Sequence, residues 1–209
     1  ADGVAYMIEL ACETDFVAKN SKFIDLADRV LAAVVAAGAT DAQSALAAPA
    51  GQGTVADAIA EDAAVVGEKI ALRRVAAVPG TAFSIYLHHT SKDLPPQVGV
   101  ILAYQGDDAE TARSIAQHIS FADPRYLQQG DVPADEVENE RRIVEEISRK
   151  EGKPEVALPR IIEGRLHAYF KQIVLLEQDY ARDNKLSVQQ VVSDAGLTVT
   201  GFARFRVGA

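Results

Sequence analysis

The sequence is poor in the residues that mark several common classes of protein. Its 209 residues include one cysteine and no tryptophan. A single cysteine excludes an internal disulfide framework and a cysteine-rich zinc site, so we expect a cytoplasmic protein. No apolar run approaches the roughly 18 residues of a membrane-spanning helix, and the first residues lack the basic and apolar regions of a secretion signal.

Positive charge is also scarce. The formal net charge is −9, with 30 acidic side chains against 21 lysines and arginines. A nucleic-acid-binding surface needs a basic stripe that replaces phosphate counterions, so this balance argues against direct binding of nucleic acid. We therefore expect a protein partner, and no membrane.

Signatures of nucleotide and metal sites are missing as well. The chain has no GxxxxGK[ST] phosphate loop, so we expect no bound nucleotide and no cofactor. The carboxylates of Glu9, Glu13 and Asp15 are close in sequence. They follow no Ca²⁺-loop pattern, and we predict no metal site.

Cys12 is the one candidate nucleophile of the cysteine type, with His88, His89 or His118 as its base. A thiol enzyme needs the two groups within hydrogen-bond reach, and no known local signature surrounds Cys12. A lone cysteine beside a strand is more often a small buried apolar residue. A hydrolase or redox protein that depends on Cys12 stays as an alternative.

The first part of the chain has the pattern of a strand, a short connection and an amphipathic helix. Residues 4–10 are typical of a buried strand, Asn20 is a helix N-cap, and apolar residues at helical spacing predict a helix over residues 21–37. The connection, residues 12–20, carries Phe16. From the residues alone Phe16 is either a local core plug or an exposed anchor for a partner, and the pattern slightly favours the plug.

Further along, Thr54 and Asp57 form a capping box. It opens a helix with the apolar positions Val55, Ala58, Ile59 and Val65. An alternation of period two follows from residue 70 to 78, and a Pro-Gly turn leads to residues 82–89. This pattern predicts a β-hairpin in which Arg73 and Arg74 form a charged pair on the strand surface.

The order of elements at the start of the chain recurs near its middle. A strand, an acidic connection and an amphipathic helix occupy residues 7–35 and again 100–119, and each half is completed by a late strand, residues 71–78 or 199–207. This predicts an α+β fold of two similar subdomains, each a small antiparallel sheet with packed helices.

A highly charged segment interrupts the second half. Over residues 135–151 three i,i+4 charge pairs (Glu138–Arg142, Arg141–Glu145 and Glu145–Arg149) surround a sparse apolar line, and a second apolar seam follows residue 159. We predict an inserted antiparallel helical (coiled-coil) hairpin, although an ordinary surface helix pair fits the spacing equally well. The predicted domains are residues 1–92, residues 93–134 with 180–209, and the hairpin at 135–179.

Several motifs carry a resemblance to a known family. They are CETDFVAKN from Cys12, GEKIALRRVA from Gly67, YLHH from Tyr86, QVGVILAY from Gln97, EGKPEVALPRIIEGRL from Glu151, and VTGFARFRVG near the end. In order and spacing they resemble bacterial translation elongation factor Ts, the nucleotide-exchange factor for the elongation GTPase Tu. The family's N-terminal helical module is absent and the chain begins almost inside its first strand, so we expect a core fragment.

The resemblance implies a guanine-nucleotide exchange factor rather than an enzyme. Its partner would be elongation factor Tu, in the GDP-bound and nucleotide-free forms, with Asp15 and Phe16 entering the GTPase beside its Mg²⁺ and phosphate site. The matching partner-binding positions are Thr14, Asp15, Phe16, Val17, Val66, Gly67 and His88. A bare assembly module that forms a homodimer through the helical hairpin is the remaining alternative.

Overall fold

The computed structural model describes residues 3–208. Its strands are β1 (Val4–Ala11), β2 (Pro49–Ala50), β3 (Gly53–Thr54), β4 (Ala71–Pro79), β5 (Ala82–His88), β6 (Val98–Gln105), β7 (Asp179–Tyr180), β8 (Asp183–Ser187) and β9 (Thr198–Arg206). Its helices are α1 (Asp15–Ala18), α2 (Ser21–Ala37), α3 (Ala42–Leu46), α4 (Val55–Val66), α5 (Ala109–Ala122), α6 (Ala134–Lys150), α7 (Leu158–Ile173) and α8 (Val188–Asp194). Small antiparallel sheets with packed helices confirm the predicted α+β class.

The chain forms two compact units. One precedes Phe121 and resumes after Leu197, and the other spans Phe121–Leu197. Within residues 3–208, no helix combines the length and the apolar character that a membrane span requires.

In the first unit, β1 pairs with β4 in antiparallel register, and α2 packs against β1. The predicted helix over residues 21–37 is confirmed. The Asn20 side chain accepts a hydrogen bond from the Lys22 amide at 3.0 Å, and Gly38 ends the helix with a left-handed φ of 63°. Leu26 and Val34 are fully buried in the core of this unit.

Helix α4 begins at the predicted capping box, in which the side chains and amides of Thr54 and Asp57 bond reciprocally. Its face toward the core differs from the prediction at one position. Val55 and Ile59 are buried, but Val65 is 66% exposed. Counting 11 residues, about three turns, from Val55 gives Val66, so Val66 continues the core face and Val65 points to solvent.

The predicted β-hairpin between residues 70–78 and 82–89 is wrong. Strand β4 pairs with β1, and β5 pairs with β6 in a three-stranded sheet of order β5-β6-β9. After Pro79, the Gly80 amide donates to the Gly3 carbonyl at 2.8 Å, so the contact between β4 and β1 extends to the residue that precedes β1. An alternation of period two identifies a strand without identifying its neighbour.

The three-stranded sheet contains the second half of the predicted repeat. In each half the late strand pairs with the first strand, β9 with β6 and β4 with β1. Helix α5 lies against this sheet. The Arg113 guanidinium stacks over the Tyr86 ring at 5.8 Å, and the Arg204 side chain donates to the Ser120 carbonyl at 3.2 Å.

In the second unit, α6 and α7 pack as an antiparallel pair. The start of α6 meets the end of α7 through Glu136 and Tyr169, and further along the pair Arg141 forms an ion pair with Glu163 at 3.0 Å. Arg141 therefore bonds across the hairpin rather than to Glu145 along its own helix. Of the predicted i,i+4 pairs, Glu145–Arg149 is present at 2.7 Å.

The Glu136 carboxylate accepts hydrogen bonds from three side chains near the point where the two helices meet. It accepts from the Tyr169 hydroxyl at 2.5 Å, the Tyr126 hydroxyl at 2.8 Å and the Arg125 guanidinium at 2.9 Å. The Tyr169 bond, followed by that from Tyr126, lowers the pKa of Glu136. Burial, together with the bond to Glu136, raises the pKa of Tyr169 to about 12. The three-part division into residues 1–92, 93–134 with 180–209, and 135–179 stays a prediction.

An ion pair between a buried carboxylate and a partly exposed guanidinium ties three strands of the first unit together. Glu9 of β1 is 2% exposed, and its carboxylate accepts from the Arg74 guanidinium of β4 at 2.5 Å. The same guanidinium donates to the Arg206 carbonyl of β9 at 2.7 Å and lies over the Phe205 ring. Arg73 and Arg74 are thus not a surface pair, because Arg73 is exposed whereas Arg74 bonds to the buried Glu9.

We predict that Arg74→Ala lowers the free energy of unfolding by about 3 kcal/mol, because it leaves the Glu9 carboxylate buried without its counter-charge. Urea titration followed by circular dichroism measures the change. Arg73→Ala is the matched control, since this exposed neighbour on the same strand should matter by less than about 0.5 kcal/mol. Equal effects of the two substitutions would contradict the prediction.

Candidate functional site

The connection after β1 contains a single helical turn that the sequence did not predict. Thr14 is its N-cap, and its Oγ1 accepts from the Val17 amide at 3.4 Å. Val17 is buried, whereas Phe16 is 88% exposed. Phe16 is therefore not a core plug. Its ring stands free in solvent, next to the exposed carboxylate of Asp15.

The turn between α4 and β4 lies against this segment. Gly67 ends α4 with φ 78°, a conformation that disfavours any residue with a side chain. The next residue, Glu68, accepts two hydrogen bonds from Thr14, one from the amide at 3.0 Å and one from the hydroxyl at 2.6 Å. In the opposite direction, the Lys69 amide donates to the Glu13 carboxylate at 3.1 Å.

Strand pairing explains why these two segments meet. In the antiparallel register of β1 and β4, Ala11 lies opposite Ala71. The residues that leave β1 must then lie beside those that enter β4. The structure thus brings Thr14–Val17 together with Val66 and Gly67, six of the seven predicted partner-binding positions.

His88, the seventh position, is the exposed last residue of β5. Its Nδ1 lies 3.1 Å from the Tyr86 hydroxyl, and its carbonyl accepts from the Gln97 amide at 3.0 Å, which closes the loop of residues 89–97. Pro95 and Pro96 of this loop line a cavity of about 140 Å³ together with residues 10–15. His88 therefore begins a loop that lines the same cavity as the Thr14 segment.

The three acidic side chains weighed as metal ligands separate in the structure. Glu9 pairs with Arg74, Glu13 accepts from the Lys69 amide, and Asp15 lies exposed in the first turn of α1. In the part of the chain that the structure describes, no three His, Cys, Asp or Glu side chains are placed to hold a metal ion together.

Cys12 is half-buried, and its thiol donates to the Thr14 carbonyl at 3.4 Å. Burial, with a further contribution from the nearby Glu68 carboxylate, raises the pKa of this thiol above its usual value of 9.0. A raised pKa lowers the thiolate fraction at neutral pH, and thiolate is the form that a cysteine nucleophile needs. The environment is the opposite of that in a thiol enzyme.

Glu68 is not among the positions predicted from the sequence. Those positions include Val66 and Gly67 on one side of the site and Thr14 on the other, but not the residue that joins them. The available signal was a single acidic side chain directly after a helix-ending glycine, in a motif already noted. That signal does not specify a partner 54 residues away in the chain.

Comparison of the sequence with known proteins identifies the family. Residues 13–209 match the family described as Elongation factor TS. The chain belongs to the elongation factor Ts family. It is 69% identical over 209 residues to elongation factor Ts of Leifsonia xyli subsp. xyli, covering all of this chain and 76% of the relative.

Two further members of the elongation factor Ts family show the same coverage pattern. The protein of Clavibacter michiganensis subsp. michiganensis is 70% identical over 208 residues, with 100% of this chain and 76% of the relative covered. That of Tropheryma whipplei is 56% identical over 204 residues, covering 98% and 74%. The chain is thus a translation elongation factor by family.

We predict that alkylation of Cys12 by iodoacetamide will show its half-maximal rate at a higher pH than glutathione does, because the raised pKa delays formation of the thiolate. The measurement is the rate of label incorporation by mass spectrometry between pH 7 and 10. Protein unfolded in urea is the control and should react with the profile of a free thiol. An inflection of the folded protein below that of glutathione would contradict the prediction.

Proposed function

We propose that this chain is a guanine-nucleotide exchange factor that binds elongation factor Tu and promotes release of its GDP. Asp15 and Phe16 enter the GTPase near its Mg²⁺ and phosphate site. The observation that carries the proposal is the 88% exposure of Phe16 on a short helical turn whose neighbours, Thr14 and Val17, are held in place. A large ring exposed in this way contributes nothing to its own core and is available to a partner.

Exchange follows from linkage of two binding equilibria. A factor that binds the nucleotide-free GTPase more tightly than the GDP-bound form must weaken GDP binding by the same ratio. Burial of the Phe16 ring in an apolar pocket of the partner is worth about 1.5–3 kcal/mol. Since about 1.4 kcal/mol corresponds to a factor of ten, this one ring accounts for roughly one to two powers of ten in the release rate.

The remaining acceleration requires further contacts. Asp15 offers a free carboxylate beside the ring, and carboxylate oxygens are the ligand type that Mg²⁺ prefers, so Asp15 would compete for the metal that holds GDP. Val66, Gly67 and His88 extend the contact surface. Val17, which is buried, contributes by anchoring the turn rather than by touching the partner.

Other parts of the proposal follow from composition and from Cys12. The net charge of −9 favours a protein partner over nucleic acid, and a translation factor of this kind acts in the cytoplasm. The raised pKa of the Cys12 thiol disfavours the alternative of a thiol-dependent hydrolase or redox protein. Exchange requires no covalent step in this chain, which would therefore not be an enzyme.

We predict that Phe16→Ala slows release of GDP from elongation factor Tu by about ten- to a hundredfold, because the ring supplies about 1.5–3 kcal/mol. Stopped-flow fluorescence of a labelled GDP analogue, displaced by excess GDP, measures the rate. The melting temperature should not change, since the ring makes no core contact.

Two variants control this experiment. Phe121→Ala removes an equally exposed ring, 82% accessible, outside the proposed surface and should leave the release rate unchanged. With Cys12→Ser, elongation factor Tu should also release GDP at the rate found with the unmodified chain. The proposed function would be overturned if GDP release stayed at its normal rate with Phe16→Ala and became much slower with Cys12→Ser.

A further inference from the structure

Glu68 makes two hydrogen bonds with the segment that carries Phe16. Its two carboxylate oxygens accept separately from the amide and the hydroxyl of Thr14, at 3.0 and 2.6 Å. The same hydroxyl oxygen accepts from the Val17 amide. A continuous line of hydrogen bonds therefore runs from the end of α4 through Thr14 into the turn on which Phe16 lies.

The turn needs outside support because it is too short to be stable alone. Helix α1 has four residues, and the first turn of a helix costs more conformational entropy than its hydrogen bond returns. Of these residues, Val17 alone is buried. Asp15 and Phe16 are exposed, so packing of their own side chains does not hold them in place.

From these contacts we propose that Glu68 is a positioning residue for nucleotide exchange, which holds Asp15 and Phe16 in the orientation that the GTPase binds. This inference rests on the function proposed above. In this role Glu68 acts through its two bonds to Thr14. The neighbouring bond from the Lys69 amide to the Glu13 carboxylate, in which the acceptor lies on the β1 side, supports the same alignment.

Positioning of this kind has a distinct kinetic consequence. If the turn is ordered only part of the time, the apparent affinity for the partner falls in proportion to the ordered fraction, while the complex, once formed, is unchanged. Loss of both charge-assisted bonds in Glu68→Ala should reduce the second-order rate constant of GDP release by about tenfold. The rate at saturating concentration should remain within about twofold of the unmodified chain.

The first experiment measures GDP release over a range of concentrations of this chain. Glu61→Ala is the control, because it removes the same charge from an exposed position on α4. Glu68→Gln, which keeps one carbonyl acceptor for Thr14, should fall between the unmodified chain and Glu68→Ala. In a background that combines Asp15→Ala with Phe16→Ala, Glu68→Ala should have little further effect, since it acts through the positions of these two side chains.

The second experiment needs no GTPase. The chain has no tryptophan, so Phe16→Trp places a unique fluorophore at the turn. Time-resolved anisotropy of this variant should gain a fast component of larger amplitude when Glu68→Ala is added, and none when Glu61→Ala is added. The folded fraction is checked by circular dichroism of the same samples, so that global unfolding is distinguished from local motion.

The two measurements separate the inference from the function on which it rests. Unchanged anisotropy in Glu68→Ala overturns the inference whatever the kinetics are. Greater mobility with unchanged GDP release, while Phe16→Ala slows release, also overturns it. If Phe16→Ala itself leaves release unchanged, the role proposed for Phe16 is wrong, and positioning for exchange falls with it. Greater mobility with a tenfold loss confined to low concentrations supports the inference.

Discussion

The antiparallel pairing of β1 with β4 is the constraint on which the candidate site depends. It places Ala11 opposite Ala71, so the segment that leaves β1 and the turn that enters β4 must lie side by side although more than fifty residues separate them. The bonds of Thr14 to Glu68 and of Lys69 to Glu13 are the local result. At the other end of the same ladder, the Gly80 amide bonds to the Gly3 carbonyl, so the two strands are paired at both ends, with one shift of register between Glu9 and Leu10.

The carboxylates of Glu9, on β1, and Glu68, in the turn before β4, contribute differently to the protein. Glu9 is almost fully buried and neutralised by Arg74, which also reaches the backbone of β9, and it stabilises the joined sheets. Glu68 lies nearer the surface and holds a segment that would otherwise have little reason to adopt one conformation. The first interaction acts on the stability of the unit. The second keeps one exposed turn in a single conformation. There, a modest change in free energy changes the fraction of molecules in which the turn is ready to bind the partner.

Local signals in the sequence were sufficient for the elements that depend on local physics. Asn20 and Gly38 mark the ends of α2 because a capping side chain and a left-handed glycine satisfy the groups that a helix leaves unpaired. Predictions failed where a choice among distant partners was needed. The alternation in β4 and β5 fits two strands of one hairpin, but each strand found a different neighbour. Arg141 likewise had an acceptor one turn away in Glu145 and bonded across to Glu163.

The sequence by itself determined the family, the α+β class, the helix caps and the motif at which function was expected, because composition, periodicity and motif residues are properties of neighbouring positions. Only the tertiary structure decided that Phe16 is exposed while Val17 is buried, and that Glu68 is the residue behind them. Exposure depends on what the rest of the chain places against a side chain. A hydrogen bond across 54 positions likewise exists only after the strands have paired, so neither could be obtained from the order of residues alone.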